Sequence, residues 1–345
     1  MIDVHVNIAG IIMYCDESIA HINMGKNYYI QQLKLEDLPF KEDIVDGKGN
    51  LNTDYYGSRL IENGRTYFMC LTKEEDIQVE EHQVDITKRI FTDEDFAIDK
   101  DVTPYMDDEN SYLNEVFNLL RLFKGGNIGL CDVFFTFIHQ SGIVKNTCRH
   151  RIHQQTRNVI DGRPFVLNKD EVRECNAFLK RFIGKPYELL KNNVEKFSWG
   201  QEQIDIGTGF EQYITALEMT LLNNNDKYCK KERLSKRVAV IIGDNPSDID
   251  TIYQKMKKFY KYRSESLHEG VEGNITVEEL HEMEDIVRNV LKWSLDKAEI
   301  DFLSSNAIST GDLRTKIIDE LKQKVTAENA SGTFTQTGGT INGNS

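Results

Sequence analysis

The sequence lacks several features that would assign a function or a cellular location directly. No apolar run reaches the roughly 18–20 residues that a membrane span requires, so we expect no transmembrane helix and no membrane partner. The amino-terminal stretch MIDVHVNIAGIIMYCDE has no basic residues ahead of its apolar part and soon meets acids, unlike a signal peptide. The six cysteines form no CxxC pair, which favours a reduced, cytoplasmic protein. The motifs GxxxxGK(S/T), GxSxG and HExxH are absent, so the sequence indicates no phosphate loop, serine hydrolase or zinc protease.

Positive charge is scarce in the whole chain but concentrated in one interval. The formal net charge is −14, which argues against a protein that coats nucleic acid by bulk electrostatics. Residues 227–263, called the basic segment below, nevertheless carry eleven lysines and arginines against four acids, a local balance of +7. The segment is consistent with a local site for a polyanion, although a solvated helix face is the simpler explanation of the charge alone.

The sequence pattern changes near residue 170 from short β-prone runs to helical periodicity. The 345 residues are enough for two domains. Short β-prone runs occur before that point, at 3–14, 66–72, 132–139 and 164–167, with one helix predicted at 111–123. An acidic stretch at 91–110 separates two of these runs. We therefore expect residues 1–169 to form a mixed α/β domain with a sensor or regulatory role.

Helical periodicity dominates the rest of the chain. The predicted helices cover 171–197 with a break at Pro186, 210–222, 231–243, 245–270 and a further segment that follows a capping box at Thr276–Glu279. These predict a helical bundle at 170–300, so the expected fold class is α+β, a mixed β-rich domain followed by an all-α bundle. An accessory amphipathic helix is expected at 301–325 and a flexible tail at 326–345.

One pair of residues in the basic segment and just beyond it has the chemistry of a nuclease site. Arg263 and His268 lie in the stretch FYKYRSESLHEG, near the end of the predicted helix at 245–270. Chance alone supplies an Arg-x4-His pair in roughly one chain in three of this composition, so the spacing decides nothing by itself. A histidine can exchange a proton near neutral pH, and an arginine fork can stabilise charge that builds on a phosphate.

Three stretches in the same order resemble the Apea-like branch of the HEPN superfamily. They are FEQYITALEMTLL, LSKRVAVIIGD and YRSESLHEG, which contain Glu218, Arg237 and the pair Arg263 and His268. The resemblance covers roughly residues 170–300. It departs from the family at Glu269, where glycine often follows the histidine directly.

The resemblance implies a helical bundle that cleaves RNA without a metal, with Arg263 and His268 as catalytic residues. On an ideal helix five residues turn about 500°, so the two side chains point roughly 140° apart. They converge only if the helix loosens near its end or if two copies meet, and HEPN ribonucleases form a composite cleft from two protomers. We therefore expect a homodimer or a higher homo-oligomer with isologous packing of this helix.

Other residues are expected to assist the pair. Glu218 could orient Arg263, Arg237 could support RNA or lock the bundle, and Ser264 could bond the ring of His268. Each also has a purely structural explanation, and for Arg237 that explanation is favoured. The residues expected to contact RNA are Lys257, Lys258, Lys261 and Tyr262.

We expect no metal and no cofactor. The cluster Cys148, His150 and His153 has metal-ligand spacing, but it offers three ligands where structural zinc usually takes four. A polar, basic loop or strand is the favoured interpretation of that cluster.

Three functional hypotheses follow. The first is a metal-independent HEPN endoribonuclease that leaves 2′,3′-cyclic phosphate ends. The resemblance alone suggests its biological role, which would be in prokaryotic antiphage defence or as a toxin. The second is a non-catalytic HEPN scaffold for dimerisation or RNA binding. The third makes the first 170 residues the functional part, which would bind a ligand or a protein trigger.

Overall fold

The computed structural model describes most of the chain. It describes residues 2–52, 59–62, 65–79, 93–139, 142–149, 163–223, 226, 228–269, 275–304 and 309–334. The chain divides into two units, Met1–Ile183 and Gly184–Ser345. The first unit is built on an antiparallel sheet and the second is helical, so the predicted α+β class is confirmed.

The first unit contains a six-stranded antiparallel sheet in the described residues. Its strands are β1 (Ile2–Met13), β2 (Tyr29–Lys34), β3 (Arg59–Glu62), β4 (Arg65–Val79), β5 (Gly129–His139) and β6 (Gly142–Arg149). The order is β2-β4-β1-β5-β6, and β3 pairs with β4. Val4, Val6 and Ile8 alternate along β1 and are buried, as the period of two predicts for a central strand.

The strands that are strongly apolar were predictable, and the others were not. The runs at 3–14, 66–72 and 132–139 correspond to β1, β4 and β5. The predicted strand at 164–167 is wrong, because there Phe165 forms a single parallel bridge to Cys15. Strand β2, YIQQLK, was missed because its polar residues hide the alternation, and its pairing to β4 is what orders it.

Three α-helices belong to this unit in the described residues: α1 (Lys41–Ile44), α2 (Asp93–Phe123) and α3 (Lys169–Phe182). Helix α2 begins well before the predicted start at 111 and includes Pro104, so most of the acidic stretch at 91–110 is helical. Helix α3 was assigned to the bundle, yet Glu171 pairs with Lys124, and Asn176 donates to the carbonyl of His21. The division between units therefore lies after Ile183 and not at residue 169.

The second unit contains six helices within the described ranges. They are α4 (Lys185–Glu202), α5 (Ile206–Leu221), α6 (Lys230–Ile242), α7 (Pro246–Glu269), α8 (Val277–Ser304) and α9 (Thr310–Ser331). The break predicted at Pro186 is present, because Gly184 has a φ of +91° and Pro186 lies in the first turn of α4. Helix α9 continues to Ser331, so the predicted flexible tail cannot begin at 326. No helix of the described residues is both long and apolar enough to cross a bilayer.

Close packing and one buried polar group fix the core of the second unit. A Cβ atom on Gly200 of α4 would lie 2.5 Å from the ring of Tyr213, so only glycine lets α5 approach here. Glu284 of α8 is 1% exposed and accepts hydrogen bonds from Gln201 (3.1 Å) and Tyr213 (3.3 Å). Arg288 neutralises this carboxylate one turn later on the same helix. The core thereby ties α4, α5 and α8 together around a satisfied charge.

Candidate functional site

Helix α7 carries the residues that the sequence singled out. The side chain of Asn245 caps its start by accepting from the backbone N–H groups of Ser247 and Asp248, both at 3.1 Å. Tyr253, Met256 and Phe259 form its buried stripe. This stripe fixes the rotation of the helix, and it places the pair Tyr260 and Arg263, three residues apart, on one flank.

Glu218 of α5 binds both members of that pair. The Nη1 atom of Arg263 lies 2.7 Å from Oε1 of Glu218, and the hydroxyl of Tyr260 donates to the same oxygen at 2.8 Å. The guanidinium also lies 5.8 Å from the centroid of the Tyr260 ring. The side chains of Arg263 and Glu218 are 21% and 16% exposed, so the cluster is mostly buried yet reaches solvent. The predicted pairing of Glu218 with Arg263 is present.

Tyr260 acts in this cluster as a donor. Burial and the hydrogen bond to Glu218 raise its pKa to about 12, so the phenol stays protonated at neutral pH. It therefore holds the carboxylate in position and does not serve as a base. Arg263 is fixed by a charged partner on one side and an aromatic face on the other, which is the pre-organisation that binding a phosphate oxygen needs.

A second carboxylate, Glu279 of α8, binds the opposite flank of α7. Its Oε1 atom accepts from Lys258 at 2.6 Å and from the hydroxyl of Tyr262 at 3.2 Å. Its Oε2 atom completes the predicted capping box by accepting from the backbone N–H of Thr276 at 3.2 Å. Although burial opposes the change, these hydrogen bonds lower the pKa of Glu279, and the bond to Glu279 raises the pKa of Lys258. The carboxyl-terminal part of α7 is thus held by one acid from α5 and one from α8.

This second cluster alters the expectation for the RNA-contacting residues. Tyr262 is half-buried, and its ring centroid lies 6.4 Å from that of Phe210, so its main role is in packing. Lys258 is bound by Glu279, and Lys257 lies 4.9 Å from the centroid of the Tyr253 ring. Lys261 is exposed. Of the four residues, Lys261 has the position that best suits contact with a polyanion.

The net positive charge around the basic segment is lower than the +7 counted along the sequence. Acids from outside the segment pair with its cations: Glu218 with Arg263, Glu279 with Lys258 and Glu282 with Lys255. Asp226, one residue before the segment, pairs with Arg233 and Arg237. A count along the sequence could not see these tertiary partners, so it overstated the local charge.

Arg237 has the structural role that the sequence favoured. It is 4% exposed, and its Nη1 atom donates to Oδ2 of Asp226 at 2.7 Å and to the carbonyl of Leu221 at 2.5 Å. Burial opposes the change, but hydrogen bonds from Arg237, the backbone N–H of Asn223 and Arg233 lower the pKa of Asp226 to about 2. Arg237 therefore ties the end of α5 to α6 and is inaccessible to RNA.

His268 lies within α7, and its side chain falls outside the described part of the chain, so the proposed bond from Ser264 falls outside it as well. Ser264 itself is exposed. The helix continues to Glu269, so the backbone does not loosen between Arg263 and His268. An unbroken helix keeps the two positions roughly 140° apart, so the helix by itself does not bring them together.

Sequence reasoning missed Arg314 of α9. Its Nη2 atom donates to the carbonyl of Leu222 and, at 3.5 Å, to that of Glu218, so it caps the end of α5 near the candidate site. Nothing in its local sequence signals this contact, because the partners are backbone groups about 90 residues earlier.

The described residues contain no group of three or more His, Cys, Asp or Glu side chains that could hold a metal ion. The side chains of Cys148, His150 and His153 fall outside the described residues. No protein-family model, curated protein or solved structure matches the chain.

Proposed function

We propose that the chain is a metal-independent endoribonuclease of the HEPN type, with Arg263 and His268 as its catalytic residues. The observation that supports this most is the cluster in which Glu218 and Tyr260 hold Arg263 at the solvent-reaching end of α7. The same cluster leaves the guanidinium in reach of solvent, as contact with a phosphate oxygen requires.

The proposed reaction is an in-line attack within the RNA itself. His268 accepts the proton of a 2′-hydroxyl, the 2′-oxygen forms a bond to the adjacent phosphorus, and the bond from phosphorus to the 5′-oxygen breaks. Arg263 stabilises the negative charge on the phosphate oxygens during this step. The departing 5′-oxygen receives a proton from a second histidine, so the products are a 2′,3′-cyclic phosphate and a 5′-hydroxyl.

A second copy of the chain supplies that second histidine. The unbroken helix through Glu269 separates Arg263 and His268 of one copy, and a two-fold axis beside α7 would bring both pairs into one cleft. Cleavage should then rise with protein concentration until the dimer saturates. Light scattering on the same samples measures the dimer fraction for comparison.

The test of the reaction is RNA cleavage by the full chain in EDTA. We expect His268→Ala and Arg263→Ala to lower the rate by at least about a hundredfold, because each removes a group that acts only in the transition state. His281→Ala, a histidine on α8, is the matched control and should cut like the wild type. End-group analysis should find cyclic phosphates. Equal cleavage by the wild type and His268→Ala, or no cleavage of any RNA class by the wild type, would reject the proposal.

A non-catalytic scaffold is the second candidate, and the acid partners of the basic segment favour it. Several of its cations are already paired, and Glu269 adds a negative charge beside His268. In this case His268→Ala leaves RNA binding and dimerisation unchanged, while Lys261→Glu weakens RNA binding. The first unit would then carry the recognition of a ligand or protein.

A further inference from the structure

Arg314 differs from the other partly or fully buried arginines of the second unit. Arg237, Arg263 and Arg288 each pair with a carboxylate. Arg314 forms no ion pair with any carboxylate of the described residues, and its Nε–H is buried without a hydrogen-bond partner there. Burial lowers its pKa, although the charge of nearby Asp226 partly opposes this. The guanidinium is thus partly desolvated at its Nε atom, and the carbonyls at the end of α5 satisfy only part of it.

The same arginine lines a cavity between α4, α5 and α9. The cavity is partly open to solvent and has a volume of about 160 Å³. Its polar lining includes Asn192, which is exposed, and Thr310, the first residue of α9. The amino-terminal end of this 22-residue helix adds a positive dipole, which the capping carboxylate of Asp312 in its first turn partly offsets, so Arg314 is the main positive group at the cavity. The polar groups therefore favour an anion at one end of the cavity.

The rest of the lining is apolar or already satisfied. Leu190 and Ile317 are buried and contribute hydrocarbon walls. Asn193 donates to the hydroxyl of Thr220 at 2.8 Å, and that hydroxyl donates to a backbone carbonyl, so these groups have bonds of their own. An inorganic ion would leave the hydrocarbon walls without contact. An engineered cavity of about 150 Å³ holds one benzene ring, which sets the scale of a fitting ligand.

We propose that this cavity binds a small organic carboxylate with a compact apolar body about the size of one ring. The carboxylate pairs with Arg314, whose planar fork suits two oxygens, and the body packs on Leu190 and Ile317. The ligand would supply the carboxylate partner that the other three arginines already have. The site is independent of the proposed ribonuclease activity and needs no catalysis to be detected.

The experiment titrates the full chain with sodium benzoate and sodium butyrate by calorimetry and ligand-observed NMR. We expect a Kd on the order of 1 mM for at least one of them, given their few atoms. Benzamide and butyramide have nearly the same shape without the charge and should bind at least about tenfold more weakly. Equal binding of the amides, or preferred binding of inorganic phosphate, would overturn the proposed ligand class.

Variants locate the binding. Arg314→Met should weaken benzoate at least about tenfold, and Lys322→Met, which removes a positive charge elsewhere on α9, should not. Arg314 also caps α5, so a second pair of variants leaves it intact. Asn192→Trp should block the cavity, while Lys191→Trp, at the adjacent exposed position, should bind benzoate normally. Unchanged binding in Asn192→Trp, or no carboxylate binding at about 10 mM, would show that Arg314 only caps the helix.

Discussion

Two carboxylates, Glu109 in the first unit and Glu218 in the second, have the same kinds of partners. Glu109 accepts from the hydroxyl of Tyr28 at 2.6 Å and lies 3.2 Å from Lys73. Glu218 accepts from a tyrosine at 2.8 Å and lies 2.7 Å from Arg263. The difference is access: the side chains of Lys73 and Glu109 are 3% and 6% exposed, whereas those of Arg263 and Glu218 are 21% and 16% exposed.

The comparison shows that residue types alone do not identify a site. Both clusters combine an acid, a cation and a phenol, yet the one around Glu109 is enclosed between the sheet and α2. Although burial opposes it, hydrogen bonds from Tyr28 and Lys26 lower the pKa of Glu109, so the cluster stays charged and serves the fold. The cation of the other cluster is an arginine at a helix flank, where it retains contact with solvent.

The largest effect is expected from breaking the buried cluster. Lys73→Met removes the buried cation between Glu75 and Glu109 and leaves only the more exposed Lys26 beside Glu109, which should cost about 3–5 kcal/mol of unfolding free energy. Urea denaturation followed by circular dichroism measures the loss.

The double variant Lys73→Met/Glu109→Gln is the control for that prediction. It removes both charges, so it should be more stable than Lys73→Met alone. If Lys73→Met costs less than about 1 kcal/mol, the buried cluster resembles a surface ion pair and the contrast with Glu218 disappears.

A pH titration tests a third carboxylate, Asp226, whose side chain is 4% exposed and therefore as buried as that of Glu109. Its folded-state pKa of about 2 lies below the usual 3.8, so the group adds stability above pH 4 that is lost as the pH falls through 2. We therefore expect the stability of the wild type to decline between pH 4 and 2. Asp226→Asn should start less stable at pH 7 and lack this part of the decline. Equal slopes for both proteins would show that Asp226 titrates normally in the fold.

The sequence predicted helices well because their boundaries are local. The caps at Asn245 and Thr276 and the break at Pro186 are read from a few neighbouring residues, and all three are present. Strand β2 was missed because its pairing to β4 orders it, and the early part of α2 has partners distant in sequence, as Tyr105 donates to Glu75 and Glu109 accepts from Tyr28. The same reason explains which contacts of the candidate site were predictable. Glu218 and Arg263 could be proposed as a pair, but the contact of Glu279 with α7 depends on where α8 packs.

The smallest effects come from the two tyrosine hydroxyls, which compare the two flanks of α7. Tyr260→Phe removes the 2.8 Å hydrogen bond to Glu218 and should cost about 1 kcal/mol of unfolding free energy. Tyr262→Phe removes a longer bond of 3.2 Å to Glu279 and should cost less. If Arg263 is a catalytic residue, Tyr260→Phe should also lower RNA cleavage several-fold while Tyr262→Phe leaves it unchanged, because only Tyr260 helps to hold the carboxylate that binds Arg263. Equal cleavage by the two variants would mean that Glu218 positions Arg263 without its tyrosine partner.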